Sequence, residues 1–140
     1  MLGRVLETIV ESTAAVRAFY AAFNAGDLDA LLETVDARVV FVPVLGILYE
    51  QNSYSGRAGI AAWYGELARR WDGFEAHVED VHETGASVIA FLRLIAHQDD
   101  RALEARIAVE FRVRAGRIYR IRGRDLYETA EELGVSTLAA

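Results

Sequence analysis

The chain has 140 residues, 53% hydrophobic and 26% charged, which suits one domain with a sizeable core and argues against disorder. Its formal net charge of -6 argues against a broad nucleic-acid surface, because such a surface gains affinity by neutralising phosphates. Cysteine is absent, which excludes disulfides, thiolate metal sites and cysteine nucleophiles. The opening MLGRVLETIVES carries Glu7 and Glu11 within an apolar stretch and lacks a signal-peptide pattern. No run approaches the ~20 apolar residues of a membrane span, so a soluble, cytoplasmic protein without a membrane partner is expected.

Residues 4–24 read as a helix, with Val5, Ile9, Val16, Phe19, Tyr20 and Phe23 at helical spacing. Gly26 suits its left-handed end, and Asp27 can cap a short second helix from Leu28 to about Val35. Arg38 to Val44 is β-rich and contains Pro43, the only proline, as befits a strand end or edge. Residues 45–56 show no period and read as a loop. A third helix is expected from about Ala58 to Trp71, with Ile60, Trp63, Tyr64, Leu67 and Trp71 on one side.

The period then changes. Segments 74–83, 87–97, 103–114 and 117–124 alternate or run apolar, separated by the turn signals Glu83-Thr84-Gly85, Gln98-Asp99-Asp100 and Ala115-Gly116. Successive hairpins make an antiparallel meander. A last helix, 126–133, lies between Asp125 and Gly134. Helices first and strands afterwards indicate a single α+β domain over residues 1–140, not a parallel α/β sheet. Residues 105–113 alternate cleanly, with Ile107, Val109 and Phe111 on one face and Arg106, Glu110 and Arg112 on the other. Val88 to Ala96 is apolar on both faces except for Arg93. Such a strand needs cover on both sides, and a second copy of the sheet would supply the side the helices leave, giving a homodimer.

The string Val16-Arg17-Ala18-Phe19-Tyr20-Ala21-Ala22-Phe23-Asn24-Ala25-Gly26-Asp27-Leu28-Asp29 resembles the first helical hairpin of the nuclear transport factor 2-like superfamily. Tyr54-Ser55-Gly56-Arg57-Ala58-Gly59-Ile60 is similar to the turn into its third helix. Gly116-Arg117-Ile118 followed by Asp125 resembles its final hairpin. The resemblance, to the SnoaL-like and ketosteroid-isomerase-like domains, implies a cone: a curved, largely antiparallel (mixed) sheet with the N-terminal helices on its concave face, over an apolar pocket. It also implies a dimer through the outer sheet face. The superfamily includes isomerases, polyketide cyclases, epoxide hydrolases and non-catalytic binding modules, so fold alone does not choose among them. Where ketosteroid isomerases carry a tyrosine, a base aspartate and a neutral aspartic acid, matching by motif puts Phe19, Val42 and Val109. Arg124-Asp125 resembles the Arg-Asp pair that ends the last strand of limonene-epoxide-hydrolase-like enzymes, and SnoaL-like cyclases also use an aspartate there.

Asp125 therefore has two readings. It is a pocket carboxylate acting as acid or base, or the N-cap of the last helix, since Asp125-Leu126-Tyr127-Glu128 has capping-box-like spacing. Arg93 either orients Asp125 or binds a carbonyl or carboxylate of a ligand, or else points outward and pairs with Glu110. Tyr49 and Tyr54 either bond a ligand or anchor their loop on the helix carrying Trp63. Phe19, Phe23, Trp63, Leu67, Phe91, Val109, Phe111 and Ile121 complete the candidate pocket, and a list of core residues would look the same. His77 and His82, five apart in one strand, should fall on opposite faces, and His97 sits by a turn; no metal site and no cofactor is expected. The expected partner is a small apolar molecule. The function expected is either a pocket enzyme using Asp125 or a non-catalytic binding module.

Overall fold

The computed structural model describes residues 2–43 and 53–135, with side chains described from residue 11 onward. Helices α1 (Leu2–Ala25) and α2 (Leu28–Glu33) lead into strand β1 (Val35–Val42). Strand β2 (Tyr54–Ser55) and helix α3 (Gly56–Arg70) follow. Strands β3 (Gly73–Glu83), β4 (Val88–Gln98), β5 (Arg101–Arg114) and β6 (Arg117–Arg124) form the meander, and helix α4 (Leu126–Leu133) closes the order. The single sheet runs β2-β1-β6-β5-β4-β3, antiparallel throughout except for the parallel pair β1 and β6. It is an open α+β sheet of the expected class. No helix among the described residues is long and apolar enough to cross a membrane.

Local chemistry explains the joints. Gly26 takes φ +70 at the end of α1, and the Ala30 amide donates to Asp27 Oδ1 at 3.1 Å, starting α2. Two tight turns carry positive φ at Asp99 and at Ala115-Gly116, bending β4 into β5 and β5 into β6. The loop expected over residues 45–56 differs at its end. Tyr54 and Ser55 pair with Phe41 and Val40, and α3 begins at Gly56, two residues before the expected start. Positive φ (+71) at Gly56 allows that abrupt change from strand to helix.

Two side chains complete backbone hydrogen bonding between elements. The Asn24 amide donates to the Ala76 carbonyl and accepts from the Ala76 amide, both at 2.8 Å, so the end of α1 behaves as an extra strand residue along β3. Arg57 Nε donates to the Leu32 carbonyl (3.2 Å) and its Nη2 to that of Val35 (3.0 Å), tying α3 to the end of α2.

The concave face of the sheet packs against α1 and α3 in one core, with Val16, Phe19, Phe23, Ile60 and Trp63 meeting Leu92, Val109, Phe111 and Ile121. The outer face has a second, small cluster in which Ile89, Phe91 and Ala108 meet Ala130, Leu126 and Leu133 of α4. The two-sided cover that β4 demands thus comes, over Ile89 and Phe91, from the same chain.

Gly59 sits in the interior of α3, where a Cβ would stand 2.9 Å from the Tyr54 carbonyl carbon. Glycine to alanine usually stabilises a helix interior by about 1 kcal/mol. Here Gly59→Ala should instead destabilise by ~1–3 kcal/mol because backbone must move aside, as thermal or denaturant unfolding would show.

Candidate functional site

Where α1 and α3 cross the sheet, aromatic rings fill most of the gap. Trp63 stands at the centre, 4.8 Å between centroids from Phe41, 5.4 Å from Phe23 and 6.2 Å from Phe19. Beside it lies an inner cavity of about 30 Å³, walled by Tyr20, Phe23, Phe41, Trp63 and Phe74 and by the sheet residues Ala76, Leu92, Leu94, Ile107 and Val109, with Pro43 and Gly123 at its margin. An outer cavity of about 210 Å³ opens between the end of α3 and the start of β3, lined by Phe23, Tyr64, Leu67, Ala68, Trp71, Asp72, Gly73 and Phe74. The indole N–H groups of Trp63 and Trp71 are buried and have no hydrogen-bond partner among the described residues.

Of the residues expected in the pocket, Phe23, Trp63 and Val109 line the inner cavity, and Phe23 and Leu67 line the outer one. Phe19, Phe111 and Ile121 lie in the same core without reaching either cavity. Phe91 lies on the opposite face of the sheet, under α4. Its strand is apolar on both faces, so composition alone does not give its phase. Tyr49 falls outside the described residues. Tyr54 is fully buried, and its hydroxyl donates to Glu66 Oε2 of α3, which anchors β2 to that helix.

Glu66 was not anticipated. It is a buried carboxylate on α3, and neither it nor Tyr54 lines either cavity. Its signal was present: an acid three residues after Trp63 and beside Leu67, on the apolar side of the helix, needs a buried partner.

Asp125 is exposed at the N-terminus of α4, and its Oδ1 accepts the Glu128 amide at 2.8 Å. That is the geometry of a cap. Arg93 lies on the outer face, across from Arg106 and His77, and its Nη1 pairs with Glu104 at 3.3 Å, not with Glu110. Glu110 is taken by Arg122 and Arg124, each at 3.7 Å, and Arg124 also reaches Glu132 at 2.9 Å. Arg93 and Asp125 are not brought together at the cavity.

The histidines need one correction. The pairing of β3 with β4 shifts register between Val78 and Asp80. The extra residue puts His77 opposite Arg93 and His82 opposite Ile89, so both lie on the outer face instead of on opposite faces. Glu75 stands 3.0 Å from His97 and 3.4 Å from His77, and Asp80 stands 2.8 Å from His82. The hydrogen bond with His97, helped by His77, holds the Glu75 carboxyl below its ordinary value. Among the described residues no cluster of three or more side chains could hold a metal ion.

Residues 16–121 match the SnoaL-like domain family. This chain belongs to that family. Bal32a, from a soil-derived mobile gene cassette, is 28% identical over 86% of this chain and 95% of its own, with a TM-score of 0.74. TerC, co-crystallised with polyporic acid, is 19% identical over 88% of this chain and 97% of its own, with a TM-score of 0.74. RV0760c from Mycobacterium tuberculosis, in complex with estradiol-17beta-hemisuccinate, is 18% identical over 84% of this chain and 95% of its own, with a TM-score of 0.72. At such identities the last two show the fold alone. No curated protein matches the sequence.

Substitutions at two residues test the electrostatics of this SnoaL-like domain. Asp125→Asn, which can still cap, should change stability by less than about 1 kcal/mol, whereas Asp125→Ala should cost ~1 kcal/mol, both read by denaturant unfolding. Glu83 is the second. Burial pushes its carboxyl above the ordinary 4.5, opposed by the Thr13 hydroxyl that donates to it at 3.5 Å. A raised folded-state value means that ionisation is resisted more in the folded than in the unfolded chain. Its contribution is therefore best at acid pH and is lost as pH rises through the folded value. Glu83→Gln should accordingly stabilise the protein at neutral pH, with the advantage shrinking towards pH 4.5, in melting curves taken across that range.

Proposed function

We propose that the chain binds a small apolar molecule, aromatic in its main part, between α1, α3 and the concave face of the sheet, and acts as a binding module. One observation carries this reading. Among the described residues that line the inner cavity there is no aspartate, glutamate, histidine or arginine. Such a wall recognises mainly by shape and apolar contact, and it brings no carboxylate–histidine or carboxylate–arginine pair to the ligand. The estradiol-17beta-hemisuccinate complex of RV0760c supports small-molecule binding as a use of this fold.

A second reading has its own observation. Arg124-Asp125 ends β6, in the place where the resemblance puts a reactive pair, so isomerase, cyclase or epoxide-hydrolase chemistry through Asp125 is the alternative. The cap hydrogen bond and the outward Arg93 favour binding over catalysis.

For the assembly we propose a homodimer through the part of the outer face that α4 leaves open. Arg112 and Arg120 are direct cross-strand neighbours there, a like-charge pair that acids of a second copy would relieve.

Naphthalene serves as a first probe, followed by its fluorescence. Trp63→Leu should weaken its binding by about tenfold or more, since the central ring of the wall is lost. Asp125→Asn should leave binding unchanged, and a comparable loss in that variant would favour the carboxylate reading. Sedimentation at micromolar concentration should give a dimer, and Arg112→Glu with Arg120→Glu should alter the dimer–monomer balance; a monomer in both would refute the assembly.

A further inference from the structure

Charge changes sign abruptly where β6 gives way to α4. Residues 111–124 hold six arginines and no acid, and residues 125–132 hold four acids and no base. We propose that in the homodimer α4 of each copy lies across the outer face of β1, β6 and β5 of the other, with Tyr127 on Val40 and Val42 and with Glu128 and Glu131 against Arg112 and Arg120. The inference rests on the dimer proposed above and names the element of the second copy that meets the arginines.

The ladder fixes the receiving surface. Phe41 pairs with Ile121, and both belong to the core on the concave face, so their chain neighbours point the other way. Val40 and Val42 therefore share the outer face with Arg120 and Arg122, their partners on β6. Arg120 in turn faces Arg112 of β5, and Arg114 faces Arg117 at the next outward step. Two successive like-charge pairs across a ladder are unfavourable by themselves, and acids laid over them relieve the repulsion. Val40 and Val42, 39% and 37% exposed, add an apolar margin to this basic surface.

Helix α4 presents the complement. It buries Thr129 and Ala130 and sets Leu126 and Leu133 against its own sheet. Tyr127, 62% exposed, stands on the outward side, with exposed Glu131 one turn on and exposed Glu128 beside it. A tyrosine ring flanked by acids matches two valines bordered by arginines, both in apolar contact and in charge. Within the chain Glu132 is held by Arg124, and Arg122 by Glu110, so the contact proposed uses other charges of the helix and the strands. Helix and basic surface lie on the same outer face. A two-fold axis therefore sets each helix on the other copy's strands, and both contacts form at once.

That reciprocity supplies the test. Glu128→Arg with Glu131→Arg reverses the helix, and Arg112→Glu with Arg120→Glu reverses the strands. Each double variant alone sets like charges together at both contacts, and its dimer dissociation constant in sedimentation should rise about a hundredfold or more. An equimolar mixture of the two should form a heterodimer of near wild-type affinity, because each helix then meets strands of opposite sign. Tyr127→Ala leaves the charges alone and should weaken the wild-type dimer about tenfold. A wild-type monomer refutes the dimer itself. A dimer that survives either charge reversal, or a mixture that yields no heterodimer from two folded variants, overturns the placement of α4 while the dimer stands. If a charge-reversed chain does not fold by circular dichroism, Tyr127→Ala decides: an undiminished dimer in that variant overturns the placement.

Discussion

One face of the sheet packs against α1 and α3, and the contact between these layers is built largely from aromatic rings. Trp63 takes the middle of the gap and packs against Phe19 and Phe23 of α1 and Phe41 of β1. Rings are rigid plates, so they bury much area but cannot fill an irregular space completely. Aromatic rings wall both cavities. Pocket and core are thus one structure, and the anchors around it serve both. Asn24 fixes the end of α1 to β3, Arg57 fixes α3 to α2, and the Tyr54–Glu66 hydrogen bond fixes β2 to α3. Each holds an element that carries a ring of the wall.

The outer face is organised by charge. Its arginines are largely matched within the chain: Arg93 with Glu104, Arg106 with Glu79, Arg122 and Arg124 with Glu110. These partly exposed pairs add little stability individually. They do keep Glu110, the least exposed of these acids, compensated close to the apolar cluster under α4. Asp125 belongs to this side of the molecule, where its cap starts the helix that shields Ile89 and Phe91.

The sequence was most informative where period and punctuation agree. The meander strands carry clear alternation and turn residues, and α4 lies between Asp125 and Gly134 as expected, with Gly134 at φ +66. It was less informative where one residue changes phase. The bulge at Glu79 moves His82 to the face of His77, and no residue pattern in β3 marks it. Apolar on both faces around Phe91, β4 left that residue without a face to be assigned to, and its coverage by α4 decides the matter. Long-range polar contacts such as Asn24 with Ala76 cannot be read from local pattern, because each depends on how separate elements meet. Within the site, the aromatic residues of α1 and α3 were legible from helical spacing. Phe74, Leu92 and Leu94 were missed because a core residue and a cavity wall have the same chemistry.

The account places ligand recognition at an aromatic wall centred on Trp63 and assigns Asp125 to holding α4. The chain has only two tryptophans, so its indole N–H groups give two resolvable signals in a proton–nitrogen correlation spectrum. Titration with naphthalene should move the Trp63 indole signal strongly while the Asp125 and Glu128 amides stay in place. Unmoved indole signals, with the shifts gathered instead around Asp125 at the start of α4, would contradict the account.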